Sequence, residues 1–269
     1  MEAKQKPMII DMHNHLLNEP DYAAMLADTA KRLGFDRVCI SGLGLPSENW
    51  LGDLSPDNDD VLRAMERYPD TFVGFGVIRL GVDGAKKVEE LHRQGFRALK
   101  TTRPLYDYDD ERFDEIYAAA ESLGMPILFH TGMILNTLRD KEDNVSSARM
   151  RPVMLDRVAR TFPDLVIFIA HLGMPWHEEA SQMARYHRNV YVDLSGSPAG
   201  WRNRKSPQFF DELFYWENAY EKIVFGTDVH YLDMAASYQD YRRIFNLNNV
   251  PQPVQDRIFG ETVRAILNL

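Results

Sequence analysis

The sequence predicts an α/β fold, a single-domain (β/α)8 TIM barrel. Three observations carry that expectation. Short apolar, β-type runs alternate with amphipathic stretches from end to end, eight such runs are found, and no linker or composition shift divides residues 1–269. The 269 residues make about 34 per strand–helix unit, which suits one strand, one helix and two connections. An open doubly wound sheet is the structural competitor. It ranks lower because a barrel sets its first and last strands side by side, whereas an open sheet holds them apart.

The predicted strands run roughly over 8–13, 36–41, 71–78, 96–100, 126–130, 165–171, 189–195 and 222–228. Between them, Phe113, Ile116, Tyr117, Ala120 and Leu123 recur at helical spacing, as do Ala235, Tyr238, Tyr241 and Phe245. Turns from helix into strand are tight and rich in Gly, Pro and Asp, as in Leu33-Gly34-Phe35-Asp36 and Phe162-Pro163-Asp164. Connections leaving the strands are long, notably 42–59, 133–150 and 196–207. In barrels of this kind the strand-to-helix loops build the active face.

Composition narrows the function classes. A net charge of −9 without a Lys/Arg-rich block argues against nucleic-acid or anionic-membrane partners. The single Cys39 lies in an apolar run, which excludes an intrachain disulfide and reads as a small buried hydrophobe. No signal peptide or membrane-spanning stretch is apparent, so a cytoplasmic enzyme acting on a small molecule is expected.

Chemistry-bearing residues end the apolar runs. Asp11-Met12-His13-Asn14-His15 follows Met8-Ile9-Ile10, His130 follows Pro126–Phe129, His171 follows Val166–Ala170, and Asp228 follows Ile223–Thr227. Residues two apart on a strand share a face, so His13 and His15 make a pincer for one cation. Four histidines and one carboxylate at equivalent strand ends suggest a metal site assembled from distant parts of one sheet. His92, His177 and His187 fall on helical stretches or helix starts and read as surface residues, His177 keeping a place on the active-face loop.

With those residues in view, the chain resembles the amidohydrolase superfamily, specifically its amidohydrolase-related branch. The matching segments are Ile10–His15, Gly95–Lys100, Ile127–Gly132, Ala170–Gly173, Asn189–Ser195, Phe225–Asp228 and the C-terminal Ile258–Leu267. The resemblance implies that His13, His15, His130 and Asp228 hold one divalent metal ion, Zn2+ in the first instance and Mn2+ as the alternate. His171 would act as acid/base or additional ligand, and Asp228 would also receive a proton from a metal-activated water. Lys100 stands where binuclear superfamily members carry a carboxylated, bridging lysine. In this branch a lysine there is usually no bridge, so one metal and an ordinary amine are expected. Val229-His230 follows Asp228 where the family often has Pro, so His230 either reaches the substrate or covers the rim.

Arg79, Arg103, Arg139, Arg202 and Arg204 on the same loops favour an anionic substrate, and Trp50, Tyr106, Trp176 and Trp201 could wall a pocket for a planar ring. Lys100, Arg103, Trp176 and His230 are the candidate substrate-binding residues; His171 and Asp228 are the candidate catalytic ones. The resemblance implies a metal-dependent hydrolase of a small ester, lactone or amide. The alternative is a non-oxidative carboxy-lyase acting on a small aromatic or unsaturated acid, and a metal-free binding protein is a third reading that loss of a ligand would favour. Pairing into a homodimer is expected by analogy alone.

Overall fold

A computed structural model describes residues 7–43, 56–137 and 140–269. Trp50 and Arg139, both considered above, lie outside the described residues. Eight parallel strands follow one another around a nearly closed barrel in sequence order. They are β1 (Ile10–His15), β2 (Arg37–Ser41), β3 (Phe72–Val77), β4 (Ala98–Thr101), β5 (Ile127–Phe129), β6 (Ile167–Ile169), β7 (Val190–Asp193) and β8 (Ile223–Val224). The main helices between and after them are α1 (Tyr22–Leu33), α2 (Asn58–Arg67), α3 (Ala85–Arg93), α4 (Asp114–Ser122), α5 (Asp156–Thr161), α6 (His177–Tyr186), α7 (Pro207–Leu213) and α8 (Met234–Leu247). Among the described residues, no helix is long and apolar enough to cross a membrane.

Local chemistry sets the helix ends. The Asp57 carboxylate accepts from the backbone N–H groups of Asp59 and Asp60, while Asp60 returns the bond to Asp57 N–H, a capping box that starts α2. Gly34 ends α1 at φ 75°, the left-handed conformation that favours glycine and turns the chain into β2. Apolar side chains pack as two layers. Ile10, Met12, Cys39, Val73, Phe75, Ala98, Leu128, Phe168 and Val224 fill the barrel, joined by Val263 and Leu267 of the C-terminal helical segment; a larger cluster packs the helices around the strands.

Five observed strands, β3 and β5 to β8, are shorter at their C-terminal ends than the apolar runs predict. Strand 6 stops at Ile169 because His171 and Leu172 adopt φ 56° and 46°; strand 8 has only two ladder residues, and Asp228 sits at φ 49°. Left-handed backbone cannot continue a pleated ladder, so the tips of these runs leave the sheet and re-aim their side chains. β1 instead reaches His15, two residues beyond its predicted end, and its register with β2 shifts by one residue between Asp11 and Asn14. That bulge allows Ile10 and Met12 to fill the barrel while His13 and His15 both reach the site above it.

The seam between β8 and β1 closes through two backbone bonds, Met12 N–H to Phe225 O at 3.0 Å and Asp228 N–H to His13 O at 2.7 Å. Gly226 permits that approach, since a Cβ there would lie 2.6 Å from the His13 Cβ. Gly226→Ala is expected to lower unfolding free energy by about 1–3 kcal/mol, the usual range for overpacking. Denaturant titration of the metal-free protein checks this; an unchanged midpoint at constant slope would mean that the seam has slack.

Candidate metal centre and active site

The strand ends bring His13, His15 and Asp228 within ligand reach of one another. Asp228 Oδ1 lies 3.1 Å from His15 Nε2 and 3.8 Å from His13 Nε2, and Asp228 Oδ2 lies 3.6 Å from His171 Nδ1. The hydrogen-bond network decides which ring nitrogens carry protons. His15 Nδ1 lies 3.1 Å from both the Gly42 carbonyl, which can only accept, and the Ser41 hydroxyl, which can turn to either role; with the proton on Nδ1 and bonded to Gly42, Nε2 presents a lone pair. His13 Nδ1 donates in the same way to Asp193 Oδ2 at 2.8 Å. Two imidazole lone pairs and a carboxylate therefore converge with no proton to share between His15 and Asp228. Such an all-acceptor grouping suits a cation.

Asp193, at the end of β7, organises the rest. Its Oδ1 accepts from His171 N–H at 2.8 Å, Ser195 N–H at 2.9 Å and Ser195 Oγ–H at 2.5 Å. Burial alone would raise this carboxyl, but the His13 ring beside it and the hydrogen bonds hold it down at about 2. Since the Ser195 hydroxyl proton is given to Asp193, Ser195 Oγ accepts from His171 Nδ1–H at 2.9 Å. His171 Nε2 then accepts from His130 Nδ1–H at 3.2 Å. His130 Nε2 is left as a buried lone pair without a partner among the described residues. Burial pushes the His130 imidazole well below its usual range, with His171 and Lys100 acting the same way, which keeps it a neutral acceptor.

Of the four residues expected to hold the metal, three thus form one cluster; His130 joins through His171, one ring away. A second grouping of His13, His171 and Asp193 is equally compact, but the Asp193 oxygens already accept four hydrogen bonds and leave little for an ion. Lys100 Nζ lies 2.9 Å from His13 Nε2, and burial pushes its amine down to about 8. Burial also lowers His13, to about 4, with Lys100 as the next cause, so His13 stays neutral and able to ligate. Burial works to raise Asp228, yet the surrounding imidazoles hold it well below the usual carboxylate range. An orphaned imidazole nitrogen, two lone pairs of fixed tautomer and an ionised carboxylate fit a divalent ion of the Zn2+ or Mn2+ kind.

Above the cluster opens a cavity of about 430 Å3. Leu43, Met133, Ile134, Leu135, Met174 and Trp201 supply apolar wall; His15, Lys100, Arg103, His130, His171, Ser195 and Asp228 are among its polar lining. Trp201 is held by its indole N–H to Ser195 O at 3.2 Å and by stacking on His177, ring centroids 4.7 Å apart. Lys100 and Arg103 therefore sit where substrate-binding residues are expected, although the Arg103 guanidinium is engaged by Asp140 at 2.5 Å and by the Leu135 carbonyl.

Trp176 and His230 stand elsewhere. Trp176 lies under the Arg151 guanidinium, because α6 starts just after it and carries it away from the opening; Trp201, from the loop after β7, supplies the aromatic wall. His230 stacks on Tyr231 at 4.2 Å and meets Glu19 at 3.2 Å, covering the rim. His177 and His187 are buried, contrary to their surface reading. The His177 ring supports Trp201 and its Nδ1 bonds to the Leu172 carbonyl, while His187 bonds to Asp156. Arg202, read as a loop charge, is fully buried against Asp240 and the Leu194 carbonyl. Asp193 and Ser195 were missed, though Asp193 ends the run Val190-Tyr191-Val192 just as the histidines end theirs.

The family model described as Amidohydrolase (Amidohydro_2) matches residues 10–269. No curated protein matches the chain. Among solved structures, an uncharacterised TIM-barrel protein from Bordetella bronchiseptica superposes with a TM-score of 0.72 at 18% identity, covering 97% of this chain and 98% of that one. A dihydroxybenzoic acid decarboxylase from Polaromonas sp. JS666, solved with manganese and 2-nitroresorcinol, gives 0.67 at 15% identity with 98% of both chains covered. A 5-carboxyvanillate decarboxylase from Sphingomonas paucimobilis gives 0.66 at 15%, covering 98% and 100%. At such identities the likeness is one of fold, but the family model spans nearly the whole sequence and every motif of the barrel face: this chain belongs to the amidohydrolase family.

Proposed function

We propose that this protein is a metal-dependent carboxy-lyase acting on a small, planar, carboxylated substrate. The observation that carries the reading is the cavity: an apolar wall closed by Trp201 over a floor that pairs the His15 and Asp228 acceptors, with His13 behind them, with the cations Lys100 and Arg103. A divalent ion held by His13, His15 and Asp228, with His130 as the further nitrogen donor, would supply Lewis-acid charge to substrate oxygens.

The chain's own residues do the rest. Lys100 and Arg103 attract the carboxylate, and Trp201 offers a flat face for an unsaturated or aromatic body. His171, whose Nδ1 is 3.6 Å from Asp228 Oδ2, takes up a proton from solvent through the cavity as the anionic substrate binds and passes it to the substrate carbon, returning to the neutral ring. The new carbon–hydrogen bond draws on the substrate's π electrons; the bond to the carboxylate then breaks, and its electron pair restores the π bond as CO2 departs. Loss of CO2 turns a charged group into a neutral molecule, so a wall of low polarity disfavours the ionised reactant more than the product. The decarboxylase names of two structures sharing this fold point the same way.

Hydrolysis of a small ester, lactone or amide, the expectation from the sequence, stays as the second reading. It is favoured by the Asp228–His171 pair, which could equally take a proton from water and pass it to a leaving group. A screen of aromatic and unsaturated acids for CO2 release, run beside esters and lactones, separates the two. CO2 with substrate loss is expected; turnover of lactones or esters alone would overturn the lyase reading.

Two further outcomes are expected. Protein purified without chelator carries close to one divalent ion, and Asp228→Ala abolishes its retention while circular dichroism stays that of the folded barrel. Elemental analysis showing no ion in the wild type, and no uptake on adding Mn2+ or Zn2+, would remove the metal. His171→Asn keeps most of the ion yet lowers turnover about 10²–10⁴-fold, the share of a positioned acid–base group. Metal content and turnover are read on one preparation, and parallel loss of both would make His171 a ligand.

A further inference from the structure

Asp11 is wholly buried, and among the described residues its hydrogen bonds go to the two segments that carry the cluster. Its Oδ1 accepts from Thr227 N–H at 2.8 Å and His13 N–H at 3.3 Å; its Oδ2 accepts from Thr227 Oγ1–H at 2.5 Å and Asn14 Nδ2–H at 3.2 Å. Asn14 also donates to Thr227 Oγ1 at 2.9 Å. This joint lies where the sheet provides least. The β8 ladder has ended at Val224, β1 is bulged between Asp11 and Asn14, and Thr227 immediately precedes Asp228.

We propose that Asp11 is a positioning residue that sets the separation between the His13 and His15 imidazoles on one strand and the Asp228 carboxylate on the next. The role rests on the metal reading above. One carboxylate grips the main chain of a histidine and the residue beside the acid, so its four bonds fix the relative height of the two segments. A side chain that merely closed the barrel would affect stability without affecting the affinity for a cation.

The test is Mn2+ titration by calorimetry on the metal-stripped full chain, at a temperature where each variant is folded, beside its melting temperature without metal. Thr227→Val removes the hydroxyl donor and keeps its bulk and backbone N–H. It is expected to weaken Mn2+ binding about 10–100-fold, the range for groups that orient ligands, while Thr227→Ser restores the affinity. Asp11→Asn should lose at least as much; if it does not fold, the Thr227 pair decides. Phe259→Leu loosens the core beside the seam, where Phe259 packs on Phe225 at 5.3 Å between centroids, without touching Asp11. It should lower the melting temperature and leave Mn2+ affinity unchanged. Thr227→Val within twofold of the wild type, or Phe259→Leu weakened as much as Thr227→Val, would overturn the role of Asp11. A wild-type chain that takes up neither Mn2+ nor Zn2+ would overturn the metal reading first and this role with it.

Discussion

The Asp193 carboxylate is the constraint on which the rest of the site depends. A buried anion is tolerated only when donors surround it, and Asp193 has four, drawn from His13, His171 and Ser195. Each bond settles something at a distance. The bond to His13 commits that ring's Nδ1 proton and leaves Nε2 an acceptor, facing Lys100 Nζ; the bond from the Ser195 hydroxyl obliges Ser195 to accept from His171, which obliges His171 to accept from His130. Protonation states across three strands are thus set by one acid on a fourth. Second partners of this type orient ligands and raise their basicity in metal sites generally.

Backbone conformation contributes the other half of the geometry. His171, Leu172, Arg103 and Asp228 all adopt positive φ, which non-glycine residues take up only at a cost of about 1–2 kcal/mol each. These residues sit where strands leave the sheet on the cavity side. The strain is offset by bonds such as Asp228 N–H to His13 O and His171 N–H to Asp193, so side-chain direction here follows from local hydrogen bonding more than from ladder register.

That division explains what was legible in the sequence. The barrel could be read because alternation of apolar runs and amphipathic stretches is a property of whole elements, and the elaborated face because long loops and ligand-type residues fall at the same ends of those runs. That rule picks out His13, His15 and Asp228, whose ligand atoms the structure brings together. The bulge in β1 was not, since strict period-two alternation would set His13 opposite Met12, and a bulge leaves no compositional trace in Met12-His13-Asn14. The pairing of His130 with His171 depends on a left-handed turn after β6 that nothing in Ala170-His171-Leu172 announces. Trp176 and Trp201 are alike as residues; only the direction in which α6 and the β7 loop leave the barrel decides which one faces the cavity. Arg202 shows the same limit, because its burial follows from a carboxylate on α8, thirty-eight residues away in sequence.

Cys39 has a consequence for which cations and reagents the protein tolerates. The chain's only sulfhydryl is sealed in the barrel interior, and burial pushes its thiol well above the usual range, so it is neither ionised nor reachable. The cluster above it offers nitrogen and oxygen donors, and no thiolate of this chain can join them in the folded state. Peroxide likewise finds no thiolate in the folded protein. One thiol silent in the native state and exposed on denaturation also means that alkylation counts unfolded molecules against a background near zero.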